Sequence, residues 1–156
     1  MISHDKLKSG GVVALFLSTF TNKIDKKGRI SIPAPFRTVL SAQSFQGIVL
    51  FRSLSRPILE GCGLDRLNRL SEQLENGEFI PSANQDYNAM MFAEARMLSF
   101  DAEGRISIPE DLLAYIGTAE QLTFVGRGPT FEIWSPQEFA VDHEHRRQAL
   151  MSGGLR

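Results

Sequence analysis

At 156 residues, with 42% apolar and 22% charged side chains, the chain has the composition of an ordinary globular protein, which excludes a disordered chain and a membrane-embedded one. Two halves of that length would each bury little apolar surface, so a shared core or an oligomer is the expected route to stability. The net charge of −1 argues, as a total, against nucleic-acid binding, and the single cysteine, Cys62, excludes an intramolecular disulfide and a cysteine-rich zinc site and fits a reducing cytoplasm.

Residues 1–14 are polar and then reach Gly10-Gly11, and they read as a disordered leader. Basic residues precede Val12-Val13-Ala14-Leu15-Phe16-Leu17 in the manner of a secretory signal. That apolar run is very short, no clear small-residue cleavage site follows, and no stretch of the chain is long enough to cross a bilayer. Phe16 to Ile24 is expected as a strand, Asp25 to Gly28 as a tight turn and Arg29 to Ile32 as the returning strand, a β-hairpin with Gly28 where positive φ is cheap. Pro33 ends the strand, and Pro35 sets the first turn of a short helix through about Leu40. Gly47 to Phe51 and Ile58 to Glu60 read as strands around a turn at Ser53 to Pro57, and Leu64 to Leu74 as a closing helix that Asn76-Gly77 breaks.

After Pro81-Ser82 comes a helical stretch from about Asn84 to Met97, whose Tyr87, Met90, Met91 and Met97 fall near helical spacing and read as a core-facing stripe. The chain then repeats itself. Asp25-Lys26-Lys27-Gly28-Arg29-Ile30-Ser31-Ile32-Pro33 returns as Asp101-Ala102-Glu103-Gly104-Arg105-Ile106-Ser107-Ile108-Pro109, with seven of nine positions identical and every matched pair 76 apart. A short helix follows again, with Glu110 and Asp111 at its positive end and Gly117 as its stop. Gln121 to Val125 and Thr130 to Trp134 are the matching strands, and Ser135 with Glu138 opens a last helix from Pro136 to about Met151. The expected organisation is therefore a leader at 1–14, a first unit at 15–75, a connecting segment and helix at 76–97, a second unit with its C-terminal helix at 98–150, and a frayed tail at 151–156.

Side chains alternate across a strand, so Ile30, Ile32, Ile106 and Ile108 point inward while Arg29, Ser31, Arg105 and Ser107 point outward. A guanidinium displayed on a rigid turn suits two tasks: bidentate contact with phosphate or guanine, or a local pair with the aspartate four residues earlier. Local charge separates the copies, because Lys23, Asp25, Lys26, Lys27 and Arg29 sum to +3 whereas Asp101, Glu103 and Arg105 sum to −1. Neutralising phosphates needs several cations close together, which favours the first hairpin. Asp25, Gly28, Asp101 and Gly104 read as structural turn residues.

Two Asp-x-x-Gly-Arg-Ile-x-Ile-Pro phrases at this separation, with Phe131-Glu132-Ile133-Trp134 after the second, resemble the MraZ family, the duplicated member of the SpoVT-AbrB-like DNA-binding families. The resemblance spans about Leu15 to Glu144. It implies an α+β, mainly β fold of two swapped-hairpin AbrB-like β-barrel units with flanking helices, related by an internal pseudo-twofold. It also implies homo-oligomeric subunits in a closed ring and a cytoplasmic, nucleoid-associated transcriptional regulator. Its expected partner is double-stranded DNA at repeated sites upstream of the division and cell-wall gene cluster. The family pattern Asp-x-Lys-Gly-Arg is met by Asp25, Lys27, Gly28 and Arg29, with Lys26 an added cation, while the second phrase has Glu103 in place of that lysine. DNA-binding candidates are thus Arg29 for base readout, Lys23, Lys26 and Lys27 for phosphates, and Arg105 in an auxiliary part. Arg37, Arg52 and Arg56 are lesser candidates.

No cofactor, metal, membrane or small-molecule partner is expected. His143-Glu144-His145 places its imidazoles at i and i+2, which diverge on a helix, and no third ligand is visible. Asp25 and Asp101 sit in duplicated turns, Ser31 and Ser107 lack a nucleophile-elbow or P-loop context, and no nucleophile, base and oxyanion donor come together, so an enzyme is not expected. The eleven phenylalanines lie mostly within apolar runs and read as core. The alternative function is an oligomeric protein-binding scaffold whose doubled hairpins serve assembly.

Overall fold

The computed structural model describes residues 15–77 and 82–154; the expected leader, residues 78–81 and the end of the expected tail lie outside these. The described residues form an α+β structure with eight strands and five α-helices. In chain order these are β1 (Thr19–Lys23), β2 (Arg29–Ser31), α1 (Ala34–Leu40), β3 (Gly47–Arg52), β4 (Leu59–Cys62), α2 (Leu64–Glu75), α3 (Ser82–Glu94), β5 (Arg96–Ser99), β6 (Arg105–Ser107), α4 (Glu110–Ile116), β7 (Gln121–Gly126), β8 (Phe131–Trp134) and α5 (Pro136–Ala149). Most bounds fall within a residue or two of those read from hydrophobic period and turn residues.

The pairing differs from a row of local hairpins. The strand order is β1-β7-β8-β4-β3-β5 in a six-stranded sheet, and β2 pairs with β6 in a separate two-stranded ribbon. β1 is therefore laddered to β7 of the later repeat, from Thr19 opposite Val125 to Lys23 opposite Gln121, while β5 of the later repeat is laddered to β3. The expected hairpin survives only as its turn, closed by Asp25 N–H donating to Arg29 O at 2.8 Å. Beyond that bond the two strands part into different sheets. β4 against β8 and β2 against β6 complete the exchange across the middle of the molecule.

The large sheet does not close into a barrel, which corrects the barrel expectation: β1 and β5 are its edges, and the ribbon lies apart from it. Asn22 of β1 bridges the gap by donating from Nδ2 to Ser31 O at 2.7 Å.

Why the strands exchange follows from what each copy must bury. Ile30 and Ile106 sit directly opposite one another in the ribbon, both buried, and Ile32, Ile108, Phe36, Leu112, Leu40 and Ile116 join them in one core drawn from both repeats. Phe36 is the hub, with ring centroids at 5.2 Å from Phe16, 5.4 Å from Phe131, 5.6 Å from Phe20 and 6.3 Å from Phe124, mostly edge-on. The opposite face of the sheet carries the alternate residues, Val49, Phe51 and Cys62, under Leu67 of α2 and Met91 of α3. Burial there pushes the Cys62 thiol up to about 11, which favours the protonated form over the thiolate.

The connecting helix is shorter than its apolar spacing implied. It stops at Glu94, and Met97 stands on β5 with about half its surface exposed, while Met90 is also exposed. Only Met91 is fully buried, with half-buried Tyr87 one turn before it donating its hydroxyl to Glu60 Oε1 at 2.9 Å. The four residues lie near a helical period, but the backbone of Arg96 to Ser99 is claimed by the ladder to β3, which ends the helix.

Because one core serves both repeats, the chain should unfold in urea as a single transition. Phe36→Ala should lower the unfolding free energy by about 3–5 kcal/mol without splitting that transition. Two resolved transitions, one per repeat, would contradict the shared core.

Candidate nucleic-acid interface

The two repeated phrases make the same turn. Asp25 Oδ1 accepts from the Lys27 and Arg29 amides, each at 2.9 Å, and Oδ2 accepts from Arg29 Nε at 2.7 Å. Asp101 does the same with the Glu103 and Arg105 amides, each at 2.9 Å, and with Arg105 Nε at 3.0 Å. Gly28 and Gly104 occupy the left-handed region at φ 80° and 75°, and each donates its amide back to its aspartate's carbonyl, at 3.0 and 3.1 Å. An aspartate is the natural residue here because one short carboxylate can accept two amides and a guanidinium at once. The Arg29 amide is the largest influence holding the Asp25 carboxyl below its ordinary 3.8, and the Arg105 amide does the same for Asp101.

The ribbon then brings the two turns together, which the linear sequence does not reveal. Arg29 stands opposite Ser107 and Ser31 opposite Arg105, so both arginines share the outer face while Ile30 and Ile106 face the core. The turns also hold each other, since Ile32 N–H donates to Gly104 O at 3.3 Å and Ile108 N–H donates to Gly28 O at 3.1 Å. The arginines are half-buried rather than fully displayed, because each lies along its own aspartate.

Their surroundings are unequal. Among the described residues Arg29 pairs with Asp25 alone, through Nε. Arg105 meets Asp101 through Nε, Glu103 with Nη2 at 3.2 Å, and Asp25 of the other turn with Nη1 at 3.9 Å. Lys26 and Lys27 are exposed at the tip of the first turn and Lys23 at the end of β1. None of the three enters an ion pair among the described residues. A groove of about 780 Å³ runs between this turn and α4, floored by Ile24, Ile108 and Leu113.

The lesser arginine candidates are committed elsewhere. Arg37 donates from Nη1 to Ile32 O at 2.7 Å and lays its stem across Gly104. Arg52 pairs with Glu94 at 2.9 Å and lies over the Tyr115 ring. Arg56 pairs with Asp142 at 3.1 Å and lies over Trp134, which fastens α5 to the sheet. His143 stacks on Phe139 at 5.0 Å, and no group of three or more metal-ligating side chains is assembled among the described residues. No described helix is long and apolar enough to cross a membrane. Asn22, which ties β1 to the ribbon, carried no signal beyond being a polar residue near a strand end; its role depends on strands that part after the turn.

The family model described as "MraZ protein, putative antitoxin-like" matches residues 91–149. Over 125 residues the chain is 38% identical to the transcriptional regulator MraZ of Rickettsia canadensis (strain McKiel), covering 80% of this chain and 84% of that protein. The chain belongs to the MraZ family. The MraZ regulators of Rickettsia rickettsii (strain Sheila Smith) and Rickettsia bellii (strain OSU 85-389) are each 40% identical to it, over the same shares of both chains. The matched span of this MraZ-family chain includes the whole of the second turn and the ribbon strand β6.

Both aspartates have folded-state values below 3.8, so their stabilisation is complete above that pH and is lost as pH falls through the lowered values. Thermal melts should therefore drop more steeply below pH 3.8 for the native chain than for the Asp25→Asn, Asp101→Asn double variant; parallel curves would remove the carboxylates' role.

An alanine at either turn glycine should cost about 1–2 kcal/mol for its positive φ. Gly104→Ala should cost more than Gly28→Ala, because its Cβ would meet Arg37 Cδ at 2.7 Å whereas the Cβ at Gly28 meets only Ile108 O at 3.7 Å. Equal melting temperatures for the two variants would show that Arg37 gives way freely.

Proposed function

We propose that this chain is a sequence-specific DNA-binding transcriptional regulator that reads duplex DNA mainly through its first turn. The observation that carries the reading is the cluster of Lys23, Lys26, Lys27 and Arg29 on a hydrogen-bonded turn, where only Arg29 has an acidic partner among the described residues. Cations without partners lose little on meeting phosphate, and the release of counterions supplies the affinity. Arg29 keeps both Nη groups out of any hydrogen bond among the described residues, which leaves a fork for guanine O6 and N7 once the ribbon enters the major groove. Lys23, Lys26 and Lys27 hold phosphates. Arg105, the auxiliary candidate of the sequence, has a carboxylate beside each of its guanidinium nitrogens and adds little to this contact. The Rickettsia relatives are named transcriptional regulators, and regulation of transcription is the activity their shared family supports here too.

In this reading residues 15–75 and 98–150 are two SpoVT-AbrB-like units related by a pseudo-twofold, joined by 76–97 and working in the cytoplasm on the nucleoid. Their targets are repeated promoter sites upstream of the division and cell-wall gene cluster. A few cations per subunit are a small footprint, and a closed ring of subunits multiplies it and raises the effective concentration of each turn after the first has bound. Support for an assembly comes from α5, which has no buried residue within the chain and, with the turn after it, exposes Val141, Leu150 and Met151.

Selection of genomic fragments by the purified protein, with its mass measured in the same buffer, should recover duplexes carrying repeated sites. Affinity for them should fall steeply with salt. Arg29→Ala should abolish binding while the assembly mass is unchanged, and full affinity in that variant would remove the first turn from the site. Recovery of a stoichiometric protein partner and no DNA would favour the scaffold reading instead.

A further inference from the structure

The two turns share a backbone and an aspartate, yet one residue of opposite sign stands at the same place in each: Lys27 in the first and Glu103 in the second, 76 positions apart. The consequence is visible at the arginines. Arg29 has one carboxylate within 4 Å, on Nε, and its Nη atoms are not engaged among the described residues. Arg105 has three, with Asp101 on Nε, Glu103 on Nη2 and Asp25 beside Nη1. Each nitrogen that could form a bidentate pair with a phosphate or a guanine edge therefore already faces a carboxylate oxygen.

We propose that Glu103 is a specificity-determining residue that holds Arg105 off the DNA, so that each subunit presents one reading turn instead of two. The inference rests on the DNA-binding reading above. Taken alone, the exposed Glu103–Arg105 pair is worth little, since a carboxylate 70% exposed is well screened by water. Its effect comes from position. Glu103 faces Nη2, one of the two nitrogens that Asp101 leaves to a phosphate, and with Asp101 and Asp25 it sets three carboxylates around the one guanidinium. A phosphate must displace Glu103 and then sit beside it, whereas at the first turn the corresponding residue is a lysine that attracts it.

Arg37 adds rigidity to the same difference. Its stem fills the space over Gly104, while at Gly28 the corresponding position is Leu113, the groove stays open, and only Ile108 O lies within contact distance. The second turn is thus packed from above and neutralised from the side.

Binding of the full-length protein to a mixed-sequence duplex, titrated at several salt concentrations, tests this. Glu103→Gln should tighten binding about 3–10-fold and steepen the salt dependence by about one released ion, as one more cation comes to bear on phosphate. Glu72→Gln, which removes the same charge on α2, should give no comparable gain. The decisive readout is coupling: Arg105→Gln should change little in the native background but cancel the gain in the Glu103→Gln background. The turn should survive the arginine change, because Asp101 keeps its two amide donors, and Arg105→Lys with thermal melts serves as the second variant. If the native protein binds through Arg29 but Glu103→Gln gains nothing, or keeps its gain without Arg105, the role of Glu103 is overturned alone. If native binding ignores both salt and Arg29→Ala, the DNA reading itself falls.

Discussion

The structure depends on the antiparallel register that sets Ile30 opposite Ile106. A three-residue ribbon is far too short to be stable by its own hydrogen bonds. It holds because its inward residues come from both repeats and close one core, and because each strand continues into the other repeat's turn through the Ile32 to Gly104 and Ile108 to Gly28 bonds. With β2 paired to β6, β1 completes the far side of the sheet against β7 instead of folding back on β2. β5 does the same against β3. The exchange is the way two units of this size reach a common core.

The same register decides what the outer face offers. Alternation places Arg29, Ser31, Arg105 and Ser107 together on one small surface, with the two turns at opposite corners of the ribbon. The aspartates keep this surface stiff. Each fixes two amides as well as a guanidinium, so the side chains that face solvent start from a backbone with little freedom left to lose. A preorganised turn contributes to recognition chiefly by lowering the ordering cost of contact.

Much of this was legible in the sequence, and the failures have a common cause. Turn chemistry is local, so the Asp-x-x-Gly-Arg phrases could be read directly, as could the helix stops and the short apolar strands. Pairing is not local. Nothing in Phe16 to Ile24 distinguishes a strand that folds back on Arg29 to Ile32 from one that crosses to Gln121, and the hairpin reading therefore kept the turn but lost the ladder. Met97 failed for the same reason, since its spacing fits a helix and its backbone answers to β3. Charge counting separated Lys27 from Glu103, but that Asp25 reaches toward Arg105 follows only from the register of the ribbon.

That cross-contact gives Asp25 two dependants. Its Oδ2 lies 2.7 Å from Arg29 Nε and 3.9 Å from Arg105 Nη1, so the carboxylate that shapes the first turn also contributes to the negative surroundings of the second. Duplication alone would have produced two equivalent turns with equal claims on a ligand. Pairing them face to face makes each a part of the other's environment, and a change of sign at one position is then felt on both sides of the ribbon. A symmetric backbone can in this way carry an asymmetric surface: the fold uses the repeated aspartate, glycine and isoleucines, while the two residues between aspartate and glycine differ between the copies and neither belongs to the core.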